Sequence, residues 1–523
     1  MYDYDVIVIG GGPAGERAAI QAARAKKRVA LIEKERQLGG TCVNWGAIPS
    51  KTLRESALFV RALGMTRVHG IKTELPEQIT VADFMWRERM VVQRELDLMN
   101  KSLDKYAVHL LHGLARLVDA HTVAIEGGGG QLRGSFTAEF ILIATGSSPD
   151  RPADVPFDDD CVFDADTILH IPRMPRSLLV LGAGVVGVEY AAMFAALGIE
   201  VTLIDTRPEM LPYLDREIAA VLERELRSLG IVLLHDENYD RIEVALREAP
   251  ARPVATRSAP ARPVATRSAK ARPAARPAAV RRAGGWGGGA REARSLPVVR
   301  CRTRGGRALE ADALLYCVGR NGNTARLGLA AVGLEANSRG QLAVNEHFQT
   351  AVPHIYAVGD VIGYPMLAST SMEQGRQAMR HAFNLRGPHV HIDLLPFAIF
   401  SIPEVSYIGE TEEQLREKGV SYLVGRGRYD YNPRGQITGE TGGLLKLLFE
   451  SGTLRLRGVH VIGLGAAEIV HIGQAFLYQR ATAEEIAETL FNYPTLSDMY
   501  RHAAFEALSQ AQRYGVPETP ASR

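Results

Sequence analysis

The 523-residue sequence predicts an α/β protein with two parallel-sheet units and a separate C-terminal α+β domain, and three features carry that prediction. Two glycine turns, GGGPAG at 10–15 and GAGVVG at 182–187, each stand between an apolar strand and a helical stretch. Strands alternate with helices across most of the chain, the pattern of a parallel sheet covered on both faces. After about residue 390 this gives way to extended segments such as YLVGRGRYDY, LLKLLFE and LRGVHVIG, then to helices at 465–480 and 482–490.

The first unit, YDVIVIGGGPAGERAAIQAARAKKRVALIEK, reads as strand, helix and strand of a Rossmann-like βαβ. A dinucleotide pyrophosphate sits against backbone N–H groups at a helix N-terminus, and side chains at Gly10, Gly12 and Gly15 would block the turn, the approach or the helix packing. Glu33 ends the second strand 18 residues after Gly15, placed to accept hydrogen bonds from a ribose diol. Residues 83–105 form a long amphipathic helix. The second βαβ, SLLVLGAGVVGVEYAAMFAALGIEVTLIDT, repeats the arrangement with Gly182, Gly184 and Gly187, and Asp205 again comes 18 residues after the last glycine. One GxGxxG is weak evidence, since tight glycine turns without a ligand are common. Two in full βαβ context, each with an acid at the same offset, point to two bound dinucleotides.

Residues 249–269 contain the decapeptide APARPVATRS twice, followed by AKARPAARPAAVRR and GGWGGG. With almost no large apolar side chains, burial cannot offset chain entropy, so residues 249–297 are expected to be a disordered insertion with polyproline character. Strand-like RIEVAL before it and PVVRCRT after it make the insertion an expanded hairpin tip. The expected domains are 1–155, 156–330 interrupted by that insertion, 331–390 returning to the first unit, and 391–511, with a polar tail at 512–523.

The insertion holds eleven Lys/Arg against Glu292 alone, a net +10 within a chain total of +2, so the rest carries −8. That mild acidity gives the folded domains no reason to bind nucleic acid. No stretch approaches the roughly 20 apolar residues of a membrane helix, and the opening MYDYDVIVIGGG reads as a strand and not a signal peptide. Cys42, Cys161, Cys301 and Cys317 have neither CxxC nor metal-ligand spacing, which argues against a zinc site or a disulfide-stapled secreted fold. No metal is expected, and a cytoplasmic location is.

ILIATGSSP at 141–149 and HIYAVGD at 354–360 have no role in a simple dehydrogenase. With the two turns they resemble the flavoprotein disulfide reductase superfamily over almost the whole chain. The resemblance implies FAD at the first turn, contacted by Glu33, Lys34, Gly39, Gly40, Thr41 and Cys42, by the ATG segment Ala144, Thr145 and Gly146, and by Gly359 and Asp360, the last on the ribityl chain. It implies NAD(P) at the second turn, with Val185, Glu189, Asp205, Arg207 and Gly319 around it. Lys51, in PSK, matches the superfamily lysine beside the flavin, and Glu189 its ion-pair partner; a surface lysine snorkelling from a helix is the plainer alternative. Val185 matches the position that can gate the nicotinamide pocket, or is ordinary core.

The catalytic motif of that superfamily is broken here. Its CxxxxC reads CVNWGA, leaving Cys42 but placing Ala47 where the flavin-facing cysteine belongs. Without that sulfur, electrons on a reduced flavin have no adjacent disulfide to enter. The histidine base before a proline is Tyr493, before Pro494, with Asp498 in the position of the orienting glutamate. A phenol with reference pKa near 10 is a poor base for a thiol at neutral pH.

An acid at the adenine-side ribose favours NAD and an arginine favours NADP, and Asp205-Thr206-Arg207 offers both. Together CVNWGAIPSK, DTR, DVIGYP at 360–365, AAEIVHIGQA at 466–475 and FNYPT at 491–495 resemble the soluble pyridine nucleotide transhydrogenase family. That implies a Si-specific NAD(P)+ transhydrogenase: NADPH reduces the flavin, NADP+ leaves, and NAD+ enters the same pocket to take the hydride, with Cys42 a packed thiol. The superfamily also implies a homodimer or larger homo-oligomer built by the C-terminal domain. An NAD(P)H diaphorase or oxidase shares every motif, a dihydrolipoamide-dehydrogenase-like reductase would need Cys42 to act alone or with another cysteine, and a scaffold displaying the arginine-rich loop would need that loop for function.

Overall fold

The computed structural model describes residues 1–64, 80–247, 296–387 and 394–513. The arginine-rich insertion lies outside them apart from Leu296 and Pro297, and the assigned tail apart from residues 512 and 513.

The strands Tyr4–Ile9 and Val29–Glu33 are near-continuous apolar runs because both faces of a parallel sheet are covered. They pair parallel with each other, Val29–Glu33 pairs parallel with His109–His112, and Tyr4–Ile9 pairs parallel with Leu132–Ile143. Ile355–Ala357, from far along the chain, adds a further parallel strand on Leu132–Ile143. Thr122–Glu126 and Leu114–Leu117 extend the sheet antiparallel. Helices Pro13–Arg24 and Ala368–Ala382 cover one face together, around Ala18, Ala22, Ala378 and Met379. The carboxyl ends of the parallel strands therefore deliver Gly10, Glu33, Ala144 and Gly359 to one edge of the sheet, where open α/β sheets bind ligands.

A second, all-parallel sheet runs Val232–Leu234, Glu200–Ile204, Ser177–Leu181, Ala313–Tyr316, Val162–Asp164 in space. Its helix Val185–Ala196 is buried nearly all round and lies in the largest core cluster. Two short strands, Ser147–Pro149 and Arg320–Gly322, pair antiparallel where the chain crosses between the first and second units. Beside the second sheet, Tyr239–Arg247 pairs antiparallel with Leu296–Thr303, which pairs with Ala308–Ala311.

Two expected limits shift. Arg247 pairs with Leu296, so Leu296 and Pro297 belong to a strand of this hairpin and not to the insertion. The last helix, Met499–Arg513, is anchored by buried Ala503, Ala507 and Ala511 and absorbs residues 512 and 513 of the assigned tail. The helix expected at 83–105 is a capped turn, Val81–Phe84, followed by Trp86–Lys105; Thr80 and Asp83 form a reciprocal capping box at its start.

The third unit is an antiparallel sheet ordered Phe397–Ile399, Val405–Gly409, Leu456–Ile462, Leu444–Glu450, Tyr422–Arg428. Helices Ala466–Gln479 and Met499–Arg513 pack on it. Lys446, fully buried in its middle, pins it to the second unit. The ammonium lies 2.7 Å from Asp215, the N-cap of helix Arg216–Ser228, and 2.9 Å from Glu217, and also meets Glu412. These three carboxylates are close enough to suggest a metal site, but the lysine already fills the centre. No helix among the described residues is long and apolar enough to cross a membrane.

Candidate dinucleotide and hydride-transfer site

Both glycine turns have the same construction. Gly12 and Gly184 stand as N-caps with extended backbone, φ −74° and −77°, and neither helix start has a side-chain cap, so the first N–H groups of each helix point outward unpaired by side chains. A Cβ at Gly15 would fall 1.9 Å from the Gly10 carbonyl oxygen, and one at Gly187 falls 1.9 Å from that of Gly182. Gly10 and Gly182 adopt φ of +107° and +99°, a region that disfavours any side chain. Two helix N-termini thus present positive ends to an anion, the requirement for a pyrophosphate.

The first turn opens on a cleft of about 560 Å³, within the range of roughly 300–1,000 Å³ typical of cofactor pockets. Gly10, Gly12, Glu33 and Lys34 line it. Gly40, which stands against Gly12, lines it with Thr41, Cys42 and Ala47, as do Ala144, Thr145, Gly146, Gly359 and Asp360. Gly15, Gly39 and Lys51 do not line it; Gly15 packs beneath Gly10, and Gly39, at φ +98°, starts the short helix Gly40–Asn44. Glu33 is buried, and its carboxylate accepts the Gly11 amide at 2.7 Å and the Glu35 amide at 2.8 Å, which fixes its aim. The Thr145 hydroxyl on the cleft wall is buried without a hydrogen-bond partner, a polar group suited to a ligand. A cleft of this volume with a glycine turn at a helix start, a buried acid and an orphan hydroxyl fits a flavin dinucleotide.

Lys51 does not behave as a surface lysine. It sits on helix Ala47–Gly64 with its ammonium 2.6 Å from Glu189 of the second unit, while the Phe400 amide donates to the other Glu189 oxygen at 2.8 Å. The same ammonium lies 5.1 Å from the centre of the Phe400 ring. Val185, one turn before Glu189, is partly buried against the same core. Burial pushes the Cys42 thiol up to about 11, so it is a neutral thiol at pH 7 even with Lys51 nearby. Tyr493 is exposed, and Asp498 pairs with His502 at 3.2 Å instead of orienting a base before Pro494.

At the second turn Asp205 follows strand Glu200–Ile204 and is buried. Arg207 Nη2 lies 2.7 Å from Asp205 Oδ2, and its Nε reaches both carboxylate oxygens at 3.2 Å. The two residues expected to discriminate the nucleotides meet each other. Gly319, at φ +89°, stands just before the crossover strand Arg320–Gly322.

Several site residues carry no local sequence signal. Arg54, one turn along from Lys51 and buried, grips the Ser401 carbonyl at 3.0 Å and Glu404 at 3.0 Å. Ser147 donates to Asp360 at 2.8 Å and Arg320 donates to Ser147 at 2.8 Å. Asp166 lines the cleft, where burial raises its carboxyl to about 6 against the pull of Arg320. All depend on partners more than a hundred residues away, and for Ser147 the one available clue was its place beside the ATG segment Ala144, Thr145 and Gly146.

Residues 4–249 and 286–375 match the model of the pyridine nucleotide-disulphide oxidoreductase family, and residues 395–504 match its dimerisation domain. The chain is 39% identical over 510 residues to the soluble pyridine nucleotide transhydrogenase of Mycobacterium tuberculosis, covering 98% of each. It is 38% identical to the protein of that name from Colwellia psychrerythraea, over 97% of this chain and 99% of the other. Among solved structures it resembles the HOCl-induced flavoprotein disulfide reductase RclA from Escherichia coli, with a TM-score of 0.77 and 25% identity over 96% of this chain and 99% of that one. LpdA from Mycobacterium tuberculosis shares the fold, with a TM-score of 0.79 at 24% identity over 96% and 99%. The chain belongs to the pyridine nucleotide-disulphide oxidoreductase family, in its soluble pyridine nucleotide transhydrogenase branch.

Proposed function

We propose that the chain is an FAD-dependent soluble transhydrogenase that moves a hydride between NADPH and NAD+, in either direction, without a redox disulfide. The observation that carries the reading is the combination of Cys42 with Ala47: among the described residues lining the cleft Cys42 is the one thiol, and burial holds it neutral. The near-full-length likeness to relatives named for that activity supports it.

When bound, FAD accepts a hydride from a reduced nicotinamide and returns one to an oxidised nicotinamide. The chain's part is to bind, orient and tune. The helix starting at Pro13 takes the FAD pyrophosphate at Gly10 to Gly15, Glu33 takes its adenine-side ribose, and Asp360 takes the ribityl chain. The helix starting at Val185 takes the pyrophosphate of NAD(H) or NADP(H) in turn. Lys51, held by Glu189, supplies a fixed positive charge beside the isoalloxazine ring, where negative charge develops on reduction. Asp205 serves the 2′-hydroxyl of NAD, and Arg207 a 2′-phosphate. One nicotinamide pocket serving both nucleotides makes the kinetics ping-pong.

The assembly is a homodimer, or a larger oligomer built from it, through the C-terminal domain, and the location is cytoplasmic; the match to a dimerisation domain supports the first. Residues 1–155 with 331–390 form the flavin domain, 156–330 the nucleotide domain, and the segment from 391 the interface domain. Anaerobic stopped-flow tests the function: NADPH should bleach the flavin of the purified yellow protein, and NAD+ added next should restore it. A flavin that stays reduced after NAD+ overturns the proposal.

A further inference from the structure

The crossover strands Ser147–Pro149 and Arg320–Gly322 pair with Ser147 opposite Gly322 and Arg320 opposite Pro149. Across them runs a polar relay. The Arg320 guanidinium holds Ser147 twice, Nε donating to the hydroxyl at 2.8 Å and Nη2 to the carbonyl at 2.9 Å. Ser147, 2% exposed, donates that hydroxyl to Asp360 Oδ2 at 2.8 Å. The third guanidinium nitrogen stands 3.8 Å from Asp166 on the cleft wall.

The direction of the relay follows from donor chemistry. Arginine only donates, and a hydroxyl has one proton. With an N–H entering its oxygen, Ser147 has its proton directed at Asp360. One carboxylate oxygen is thereby occupied and the rotamer held, which leaves Oδ1 for a ligand. The charge behind the serine strengthens its bond to the carboxylate.

We propose that Arg320, acting through Ser147, is a positioning residue for Asp360 and so sets how tightly the ribityl chain of FAD is held. The inference rests on the flavin reading above. Because Arg320 enters from the nucleotide side of the crossover, the relay also ties flavin retention to the seating of the nucleotide domain.

Flavin release from the holoenzyme, followed by the rise of free-flavin fluorescence on dilution, tests this without using activity. Arg320→Met and Ser147→Ala should each release flavin roughly tenfold faster, the loss expected for a hydrogen bond to a charged group. The double variant should release no faster than Ser147→Ala, because both act through one hydroxyl. Adding Ser147→Ala to Asp360→Asn should change little. Arg320→Lys, milder for folding, should fall between wild type and Arg320→Met, since an ammonium cannot make both contacts in a fixed fork. Circular dichroism establishes that each variant is folded. Wild-type release rates in folded Arg320→Met and Ser147→Ala, or single effects that multiply in the double variant, overturn the relay. A wild-type protein purified without flavin overturns the FAD reading instead.

Discussion

Lys51 Nζ lies 2.6 Å from Glu189 Oε2, and Glu189 Oε1 accepts the Phe400 amide at 2.8 Å. The lysine belongs to helix Ala47–Gly64, whose first residue lines the cleft of the first unit, the glutamate to helix Val185–Ala196 of the second, and the phenylalanine to the third unit. One buried carboxylate therefore joins all three units, and in the proposed function it holds Lys51 where the two dinucleotides meet. Lys51→Met should slow flavin reduction by NADPH by roughly 100- to 1,000-fold, the range for loss of one group aimed at a developing anion. Glu189→Gln should slow it less, because the amide of Phe400 can still find an acceptor. Single-turnover reduction under anaerobic conditions measures both. An unchanged rate in folded Lys51→Met removes the lysine from the chemistry.

A thiol raised to about 11 by burial is protonated through the whole physiological range. Cys42 is the unmodified residue of a motif whose partner is Ala47, so no dithiol forms on reduction. Cys42→Ser should keep transhydrogenation within about threefold of wild type, the effect of a modest packing change on a barrier. Arsenite, which needs two neighbouring thiols, should leave the reduced enzyme active. Native Cys42 should react with iodoacetamide only as pH approaches its raised value, where thiolate appears. Inhibition by arsenite, or loss of activity in Cys42→Ser beyond tenfold, would return sulfur to the electron path.

In the proposed function, the Asp205–Arg207 pair makes nucleotide choice a contest within one ion pair. A ribose hydroxyl can share the carboxylate while the guanidinium stays on it. A 2′-phosphate competes for the guanidinium and gains a charge-assisted bond. Arg207→Ala should raise the KM for NADPH by roughly 10- to 100-fold and that for NADH by under about threefold. Asp205→Asn should weaken NADH more than NADPH. Steady-state kinetics with each nucleotide alone measures the split, and equal shifts for both nucleotides in Arg207→Ala sink the account of dual use.

The two glycine turns and their acids were legible because a pyrophosphate imposes a local rule on a strand–turn–helix. The absent second sulfur was legible because position 47 follows Cys42 at fixed spacing. Arg54, Ser147, Arg320 and Asp166 were not, since each earns its place only from partners brought in by the fold, as with Arg320 and Ser147, 173 residues apart. The paired state of Arg207 was hidden for a different reason. The DTR triplet shows both groups but not whether the guanidinium lies on the carboxylate or in solvent, and that depends on how the strand ends.

The hairpin ladder defines what can be removed from the arginine-rich segment. After a register shift between Tyr239 and Arg241, Tyr239–Arg247 and Leu296–Thr303 stay in register from the pair Arg241–Arg302 to the pair Arg247–Leu296, so the two chain ends lie at pairing distance across a sheet. A two-residue turn such as Asn-Gly closes such an antiparallel pair without splaying it. Replacing residues 248–295 with Asn-Gly should therefore preserve the strands. Val299 and Cys301 of the second strand are buried beneath Leu179 and Leu314 of the nucleotide sheet, so cutting two residues further, through Pro297, should lower the melting temperature by shortening the ladder. Neither change touches Asp205, Gly182 or the Lys51–Glu189 pair. Transhydrogenation by the 248–295 deletion should stay within about twofold of wild type, the scale of changes remote from the reacting atoms. A folded deletion variant that binds both nucleotides yet loses activity would assign the segment a part in catalysis, and one that fails to fold would show that the hairpin needs more than its paired strands.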